Sequence, residues 1–511
     1  MTFSVPEQFN MAHYFLDARI EEGMGDCVAI RCGDSSWTYE EIQQQANRFA
    51  NTLSRLGVRP EERVAIGLPD GADWVGAFFG ILKLGAVVVM LNPYLKPEEI
   101  EYFYEYTRCR WVLVHPDLAE GFVDRASGSR HLHGVLAVGG DLDGSPRFEK
   151  EVRDGDERFE NFPTHADDPA VWLFSGGTTG KPKAVVQAHT SFANTTECYA
   201  KGVIGYGSDD TTLSIPKLYF GYATGSNLLF PFSVGATVAL FPERSTSEEV
   251  FRQIEAHQPT ILINVPTMIG RMVEAARDQS VSFDSLRLAT SAGEALPLEI
   301  HEAWSETFGI ELLDGLGTAE MWHIFLSNRP GDVHPGTLGK VVPGFEVVVR
   351  DENENCVSAG EVGVMWVRGN SRAIQYWQKS DRTQHAFRGE WYVTGDLVLE
   401  DENGCYSHHG RADEMLKVSG KWLAPQEVEG CLLQHPAVHE CAVVGWKGED
   451  GLITPKAFLV ADGADSDLAA ELKAFVKERL ETYKHPREIE FVEALPRTHL
   501  GKVARGALRN I

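Results

Sequence analysis

Paired cysteines, positive charge and long apolar runs are what this chain lacks. Its 8 cysteines are scattered without a CxxC pair or a Cys/His cluster. That spacing excludes a zinc site or disulfide scaffold and reads as reduced thiols in a cytosolic protein. Lysine and arginine number 47 against 74 aspartates and glutamates, a formal charge of −27. Nucleic acid is excluded as a partner, because phosphate backbones are held by surplus Lys and Arg. A small anionic substrate requires basic residues gathered locally. The N-terminal stretch "MTFSVPEQFNMAHYF" has neither the basic region nor the apolar core of a signal peptide, so a cytoplasmic protein is expected. The stretch Trp74 to Leu91 approaches the length of a membrane span, but Lys83 and Gly85 divide it and Val87-Val88-Val89 is β-branched. It reads as a buried helix followed by a buried strand, with no membrane association. Internal repeats and low-complexity tracts are also absent.

With 511 residues the chain exceeds one ordinary core and is expected to form two or three domains. Thr38 followed by Glu41 forms a capping box. Tyr39, Ile42, Ala46, Phe49, Leu53 and Leu56 then recur at helical spacing, and Gly57 ends the run. Short apolar strands alternate with helices from "RVAIGLP" through "WVLVHP", "VWLFS", "ATVALF", "TILINV", "LRLATSAG" and "ELLDG". Fully apolar strands in such alternation imply parallel or mixed sheets covered by helices. From about residue 345 the pattern turns strand-rich, with "FEVVVRD", "GVMWVRG" and "WYVTGDLV", and the polar stretch "EDENGCYSHHGRADEM" reads as a boundary. Beyond it, strands "CAVVGW", "PKAFLV" and "EIEFV" and a helix carrying Leu468, Leu472, Phe475, Val476 and Leu480 form a compact unit. The expected fold is α/β. A large N-terminal body with a strand-rich subdomain spans 1–409, and a small mobile α+β lid spans 410–511.

The segment "FSGGTTGKPKAV", Phe174 to Val185, places glycines, hydroxyls and lysines between two apolar runs. It is not a Walker P-loop: only three residues separate Gly176 from Gly180, and Pro182 follows Lys181 where Ser or Thr is required. The physical logic is shared, since glycines turn backbone N–H groups toward an anion while hydroxyls add donors and lysines add charge.

Ser175 to Lys183 resembles the phosphate loop of the adenylate-forming superfamily of acyl-CoA synthetases, adenylation domains and luciferases, and the likeness extends over essentially the whole chain. "SAGEALP" (Ser291 to Pro297) resembles the adenine-side loop, and "DGLGTAE" (Asp314 to Glu320) the phosphate-and-magnesium segment. "YVTGD" carries the ribose-binding Asp396, "GRADEMLKVSGKWLAPQEVE" resembles the hinge with Asp413, and "PRTHLGKVAR" the segment with catalytic Lys502. The resemblance implies ATP, Mg2+ and coenzyme A as reactants. It assigns Ser175, Gly177, Thr178, Thr179, Gly180 and Lys183 to the phosphates, and Gly293, Glu294, Ala295, Asp314 and Gly315 to the nucleotide. Asp396 and Arg411 fall to the ribose, Glu320 to magnesium, and Thr318 joins Lys502 and Glu320 as a catalytic candidate. Attack of a carboxylate on an α-phosphate crowds negative charge, so positioned donors matter more than acid–base groups. Lys181, Lys183, Arg411, Lys417, Lys421 and Lys502 could form a cationic site on an acidic protein. Two departures stand out: Gly176 replaces a hydroxyl, and Ala319 stands where Thr usually precedes the Glu.

The resemblance further implies thioester formation after the lid rotates, with Ser419, Gly420, Lys421 and Trp422 along the thiol's path. No acid occurs in "IPKLYFGYATG", which disfavours an α-amino acid. "KLYFGYATG" and "TAEMWHIFLSN" resemble the benzoate-CoA ligase branch. Tyr219, Gly221, Tyr222, Ala223, Gly317, Trp322, His323, Ile324 and Lys417 then surround the acid, and Trp322 makes the pocket short. Benzoate or a substituted benzoate such as anthranilate is the expected substrate of this aryl-CoA ligase. Loading of a free carrier protein, and a pseudoenzyme without turnover, are the alternatives. The expected partners are the aromatic acid, ATP, CoA and a downstream acyltransferase or carrier protein, for a monomer or homodimer.

Overall fold

The computed structural model describes residues 3–176, 181–277, 281–418, 421–447, 453–497 and 503–509, with Trp422 by its backbone alone. Two compact units emerge. The first comprises Met1–Ser175, Ala184–Glu346 and Val367–Tyr392; the second comprises Gly176–Lys183, Val347–Trp366 and Val393–Ile511.

The first unit is built on two large sheets. A seven-stranded sheet runs Gln375–Tyr376, Lys183–Ala188, Pro169–Ser175, Val87–Met90, Arg63–Gly67, Trp111–Val114 and Gly134–Ala137. Its strands from Val87–Met90 to Gly134–Ala137 pair in parallel, and Val87–Met90 and Trp111–Val114 are buried throughout. A nine-stranded sheet runs Lys340–Val341, His323–Ser327, Leu312–Thr318, Leu288–Ser291, Ile261–Asn264, Thr211–Ser214, Thr237–Leu240, Val28–Cys32 and Ser35–Thr38. Its middle is parallel, while Leu312–Thr318 meets His323–Ser327 antiparallel. The expected mixture of parallel and antiparallel pairing is therefore present.

Local signals operate as anticipated. Thr38 accepts from the Glu41 N–H while the Glu41 carboxylate accepts from the Thr38 N–H, and helix Tyr39–Arg55 follows. The run from Trp74 divides into helix Ala72–Lys83 and strand Val87–Met90, with Gly85 at φ +74° between them. No helix among the described residues is long and apolar enough to cross a membrane. Lys83 is 2% exposed, and its ammonium meets Asp17 Oδ1 at 2.5 Å and Asn161 Oδ1 at 3.2 Å. Gln43 and Asn161 amides also donate to Asp17, so a buried charge pair ties the N-terminal helix to the core.

In the second unit, Val438–Lys447 pairs antiparallel with Ile453–Ala461, which pairs in parallel with Glu488–Phe491. Val428 and Leu432 from helix Pro425–Leu433 and Leu468, Leu472 and Val476 from helix Ser466–Arg479 supply its core. Leu480 ends that helix as its C-cap rather than continuing it. The polar stretch after residue 400, expected as a boundary, contains a strand: Tyr406–Arg411 pairs antiparallel with Trp391–Glu400. Its side chains alternate little in polarity, and pairing rather than composition makes it a strand. Among the described residues no two cysteines form a disulfide. Burial pushes the thiols of Cys32 and Cys109 up to about 11 and also raises those of Cys198, Cys431 and Cys441.

Two stability measurements follow from these contacts. Lys83→Met leaves the Asp17 carboxylate buried with amide donors alone, and should lower urea-unfolding stability by about 3 kcal/mol. The double variant with Asp17→Asn should recover much of that loss. His189 accepts the Met11 N–H on Nδ1, so its ring proton sits on the buried, unpartnered Nε2, and burial pushes its pKa from 6.5 down to about 3. Below pH 6.5 the unfolded chain binds a proton that the folded chain refuses. Stability should therefore fall as pH drops from 6.5 toward 3, by about 1.4 kcal/mol per pH unit for this residue. His189→Gln should flatten the slope between pH 6.5 and 5.

Candidate active site

Within the first unit, Ser175 closes strand Pro169–Ser175, and its hydroxyl donates to Glu320 Oε1 at 3.2 Å. The same oxygen accepts from the Tyr376 phenol at 2.8 Å. Burial and the adjacent carboxylate raise the Tyr376 phenol far above its ordinary value, so it stays a donor. Glu320 is 4% exposed and lies in the short helix Ala319–Met321. Tyr376 carries no local motif that would have announced it; it arrives from strand Gln375–Tyr376, paired beside Val185 and Val186.

The segment Asp314 to Ile324 is a tight hairpin. Gly317 lies opposite Ile324 across the antiparallel pair, where a Cβ would come within 2.2 Å of the His323 carbonyl oxygen. Trp322 (φ 52°) and His323 (φ 129°) both take positive φ, conformations that cost roughly 1–3 kcal/mol each for such residues. Thr318 caps the short helix by accepting the Met321 N–H at 3.3 Å. That bond uses its lone pair and not its hydroxyl proton, so Thr318 keeps a donor even though Ala319 supplies none.

Trp322 is fully buried, with its ring 4.0 Å from that of Phe192. It packs beside Gly221, where a Cβ would approach it within 3.7 Å. His323 lies among the rings of Phe230 (4.7 Å), Tyr222 (5.3 Å) and Tyr199 (5.6 Å). Burial lowers its pKa to about 4, so it is neutral at physiological pH. Its Nε2 is 3.1 Å from both the Tyr222 carbonyl and Ser226 Oγ. A carbonyl can only accept, which places the ring proton on Nε2 and leaves buried Nδ1 as an acceptor with no partner in the structure. Tyr222 is fixed by its own 2.7 Å contact with Thr290 Oγ1. Ser226, Thr290 and Tyr199 thus support the site, although none stands in a recognisable motif.

Asp314 sits in strand Leu312–Thr318 opposite Ser291; burial pushes its carboxyl up to about 8, and Oδ1 has no partner. Beyond Ser291 the chain bends at Gly293 (φ +92°), and Glu294 and Ala295 are exposed, with Glu294 accepting from Thr267 Oγ1 at 2.6 Å. Tyr219 is partly buried with its ring 4.5 Å from that of Phe220 and tilted by 47° to it, while Ala223 is fully buried. Gly315 and Ile324 lie on the two facing strands of the hairpin.

In the second unit, Asp396 is 6% exposed. Burial works to raise its carboxyl, but His408 at 3.4 Å and Arg411 at 3.2 Å outweigh that and hold it below the usual range. Arg411 also donates to the Thr394 carbonyl and to exposed Asp413 at 3.1 Å. Lys183 begins strand Lys183–Ala188. Lys417 is exposed on strand Leu416–Val418, and Lys421 on Lys421–Leu423 lies 3.7 Å from Glu481. Gly177, Thr178, Thr179, Gly180, Ser419, Gly420 and Lys502 lie outside the described residues, as does the Trp422 side chain.

Among the described residues no cluster of three or more His, Cys, Asp or Glu could cage a metal. Magnesium needs no such cage, since it binds through one or two carboxylates plus substrate phosphates. Glu320 fits that requirement: it is a hard oxygen donor held in place by two hydroxyls.

The profile of the AMP-binding enzyme family matches residues 16–377, and that of the AMP-binding enzyme C-terminal domain matches residues 427–502. The chain is 40% identical over 511 residues to a benzoate–CoA ligase of Thauera aromatica, covering 99% of this chain and 97% of that one. Among solved structures, an anthranilate CoA ligase in complex with anthranoyl-AMP matches with a TM-score of 0.92 at 37% identity, across 99% of this chain and 98% of the other. A benzoate CoA ligase from Burkholderia xenovorans LB400 matches with a TM-score of 0.88 at 39% identity, across 98% and 100%. Together with the hairpin and the carboxylate it carries, these matches place the chain in the AMP-binding enzyme family, as an adenylate-forming enzyme of the aryl-CoA ligase branch.

Proposed function

We propose that this enzyme activates a small aromatic carboxylic acid with ATP and passes the acyl group to coenzyme A, and that it favours a ring bearing an N–H or O–H donor, as anthranilate does. The supporting observation is the neutral His323, whose bare Nδ1 sits within an aromatic enclosure. Aromatic walls favour a flat ring by stacking and apolar burial. A buried acceptor without a partner favours a ligand that supplies one. The related anthranilate CoA ligase crystallised with anthranoyl-AMP accords with this preference.

In the first half-reaction a carboxylate oxygen bonds to the α-phosphorus and pyrophosphate leaves. Thr178, Thr179 and Lys183 hold the β- and γ-phosphates, Lys502 meets the charge developing at the α-phosphate, and Asp396 with Arg411 accommodates the ribose. Glu320, oriented by Ser175 and Tyr376, holds the magnesium ion, which when bound offsets triphosphate charge. In the second half-reaction the thiol sulfur bonds to the acyl carbon, AMP leaves and the thiol proton is released. Residues 410–511 turn about Asp413 between the two steps, and the glycine at 420 allows the close backbone approach that a pantetheine arm requires.

The purified chain, given ATP, Mg2+, CoA and a panel of acids, should release pyrophosphate and form aryl-CoA thioesters detectable by mass spectrometry. Absence of thioester with every aromatic acid would reject the reading. His323→Phe should cut kcat/KM for anthranilate by about tenfold while sparing benzoate; an equal loss for both acids removes the hydrogen bond from the account. Lys502→Ala should slow adenylate formation by about a hundredfold or more, yet leave thioester formation from pre-made acyl-adenylate much less affected.

A further inference from the structure

Leu218 lies in the turn that precedes the short helix Gly221–Thr224, and both of its backbone groups are held by buried side chains. Its N–H donates to both carboxylate oxygens of Asp70, at 3.0 and 3.2 Å, and its carbonyl accepts from Thr224 Oγ1 at 2.5 Å. Asp70 is 8% exposed and stands just ahead of helix Ala72–Lys83, far from this turn in the chain. Neighbouring Lys217 donates to the Phe241 carbonyl at 2.7 Å, and the Phe220 N–H returns to the Lys217 carbonyl at 2.9 Å. Burial pushes the Asp70 carboxyl up to about 6, against the opposing pull of Lys217 and the Leu218 N–H. A charged group kept in such surroundings for one backbone N–H costs stability that an apolar residue would not. No group of Asp70 belongs to the reaction described above, yet the turn it holds leads directly into Gly221 and Tyr222.

We propose that Asp70 is a positioning residue for acid recognition: by fixing the Leu218 N–H it sets where the Gly221–Thr224 helix begins, and so where Gly221 and Tyr222 stand against the aromatic ring. This inference rests on the acid-binding role given to those two residues. Asp70 acts through backbone geometry, not through contact with the substrate. Loss of the carboxylate frees the turn on one side while Thr224 still holds the other, so the helix can shift without unfolding.

Steady-state kinetics with the full chain test the inference. Asp70→Ala should raise KM for the aromatic acid about tenfold or more and leave KM for ATP within about twofold. Asp70→Asn should fall between, because an amide oxygen still accepts one bond from Leu218; it also decides the matter if the alanine variant fails to fold. Asp70→Glu should recover part of the loss, since Asp70 borders a cleft of about 510 Å3 lined by Trp37, Glu41, Asp73 and His115, which leaves room for the extra methylene. Unchanged acid KM in Asp70→Ala, or a parallel rise for acid and ATP, overturns the inference. Wild-type turnover checks the functional reading separately: if the preferred acid proves not to be aromatic, that reading fails, while the split between acid and ATP measured with that acid still decides the role of Asp70.

Discussion

The close approach of the chain to itself between Gly317 and His323 is the constraint on which the rest of the first unit's site depends. A side chain at Gly317 would collide with the opposite carbonyl, so the hairpin can close only there. Closing it drives Trp322 and His323 into backbone conformations that such residues avoid, and the surrounding rings hold them there. The same turn carries Glu320 toward Ser175 and Tyr376. One strained bend thus delivers an aromatic enclosure and a buried carboxylate together. Strain at such a point is sustained by the packing around it.

The charged groups of the two units are handled in different ways. At two positions of the first unit burial favours the neutral form: His323 loses its basicity, and the carboxyl of Asp314 is pushed up to about 8. In the second, Asp396 is buried as deeply but keeps its charge because His408 and Arg411 face it. A charged acceptor suits sugar hydroxyls, whereas a neutral enclosure suits an aromatic ring.

Much of this was legible in the sequence, and the reasons differ by residue. The Thr38 capping box and the helix-to-strand break at Gly85 are local events, decided by residues next to one another. Strand Tyr406–Arg411 hid within a polar stretch because only its partner strand makes it a strand. Candidate site residues stood out where they cluster in motifs. Tyr376, Ser226 and Thr290 could not, since each meets the site by crossing from a distant part of the chain. Trp322 reads as a pocket wall in the sequence, and the structure adds that its ring is wholly enclosed against Phe192. The Ala319 departure likewise looks graver in the sequence than beside the Thr318 hydroxyl, whose proton is not spent on the cap.

The raised thiols acquire a meaning beyond packing. An acyl-adenylate is a mixed anhydride, and the species that captures it most readily is a thiolate. Burial raises the thiols of Cys32, Cys109, Cys198, Cys431 and Cys441, which disfavours their thiolates. In a catalyst that generates an acylating agent, burial thus disfavours the reactive form of these internal sulfurs.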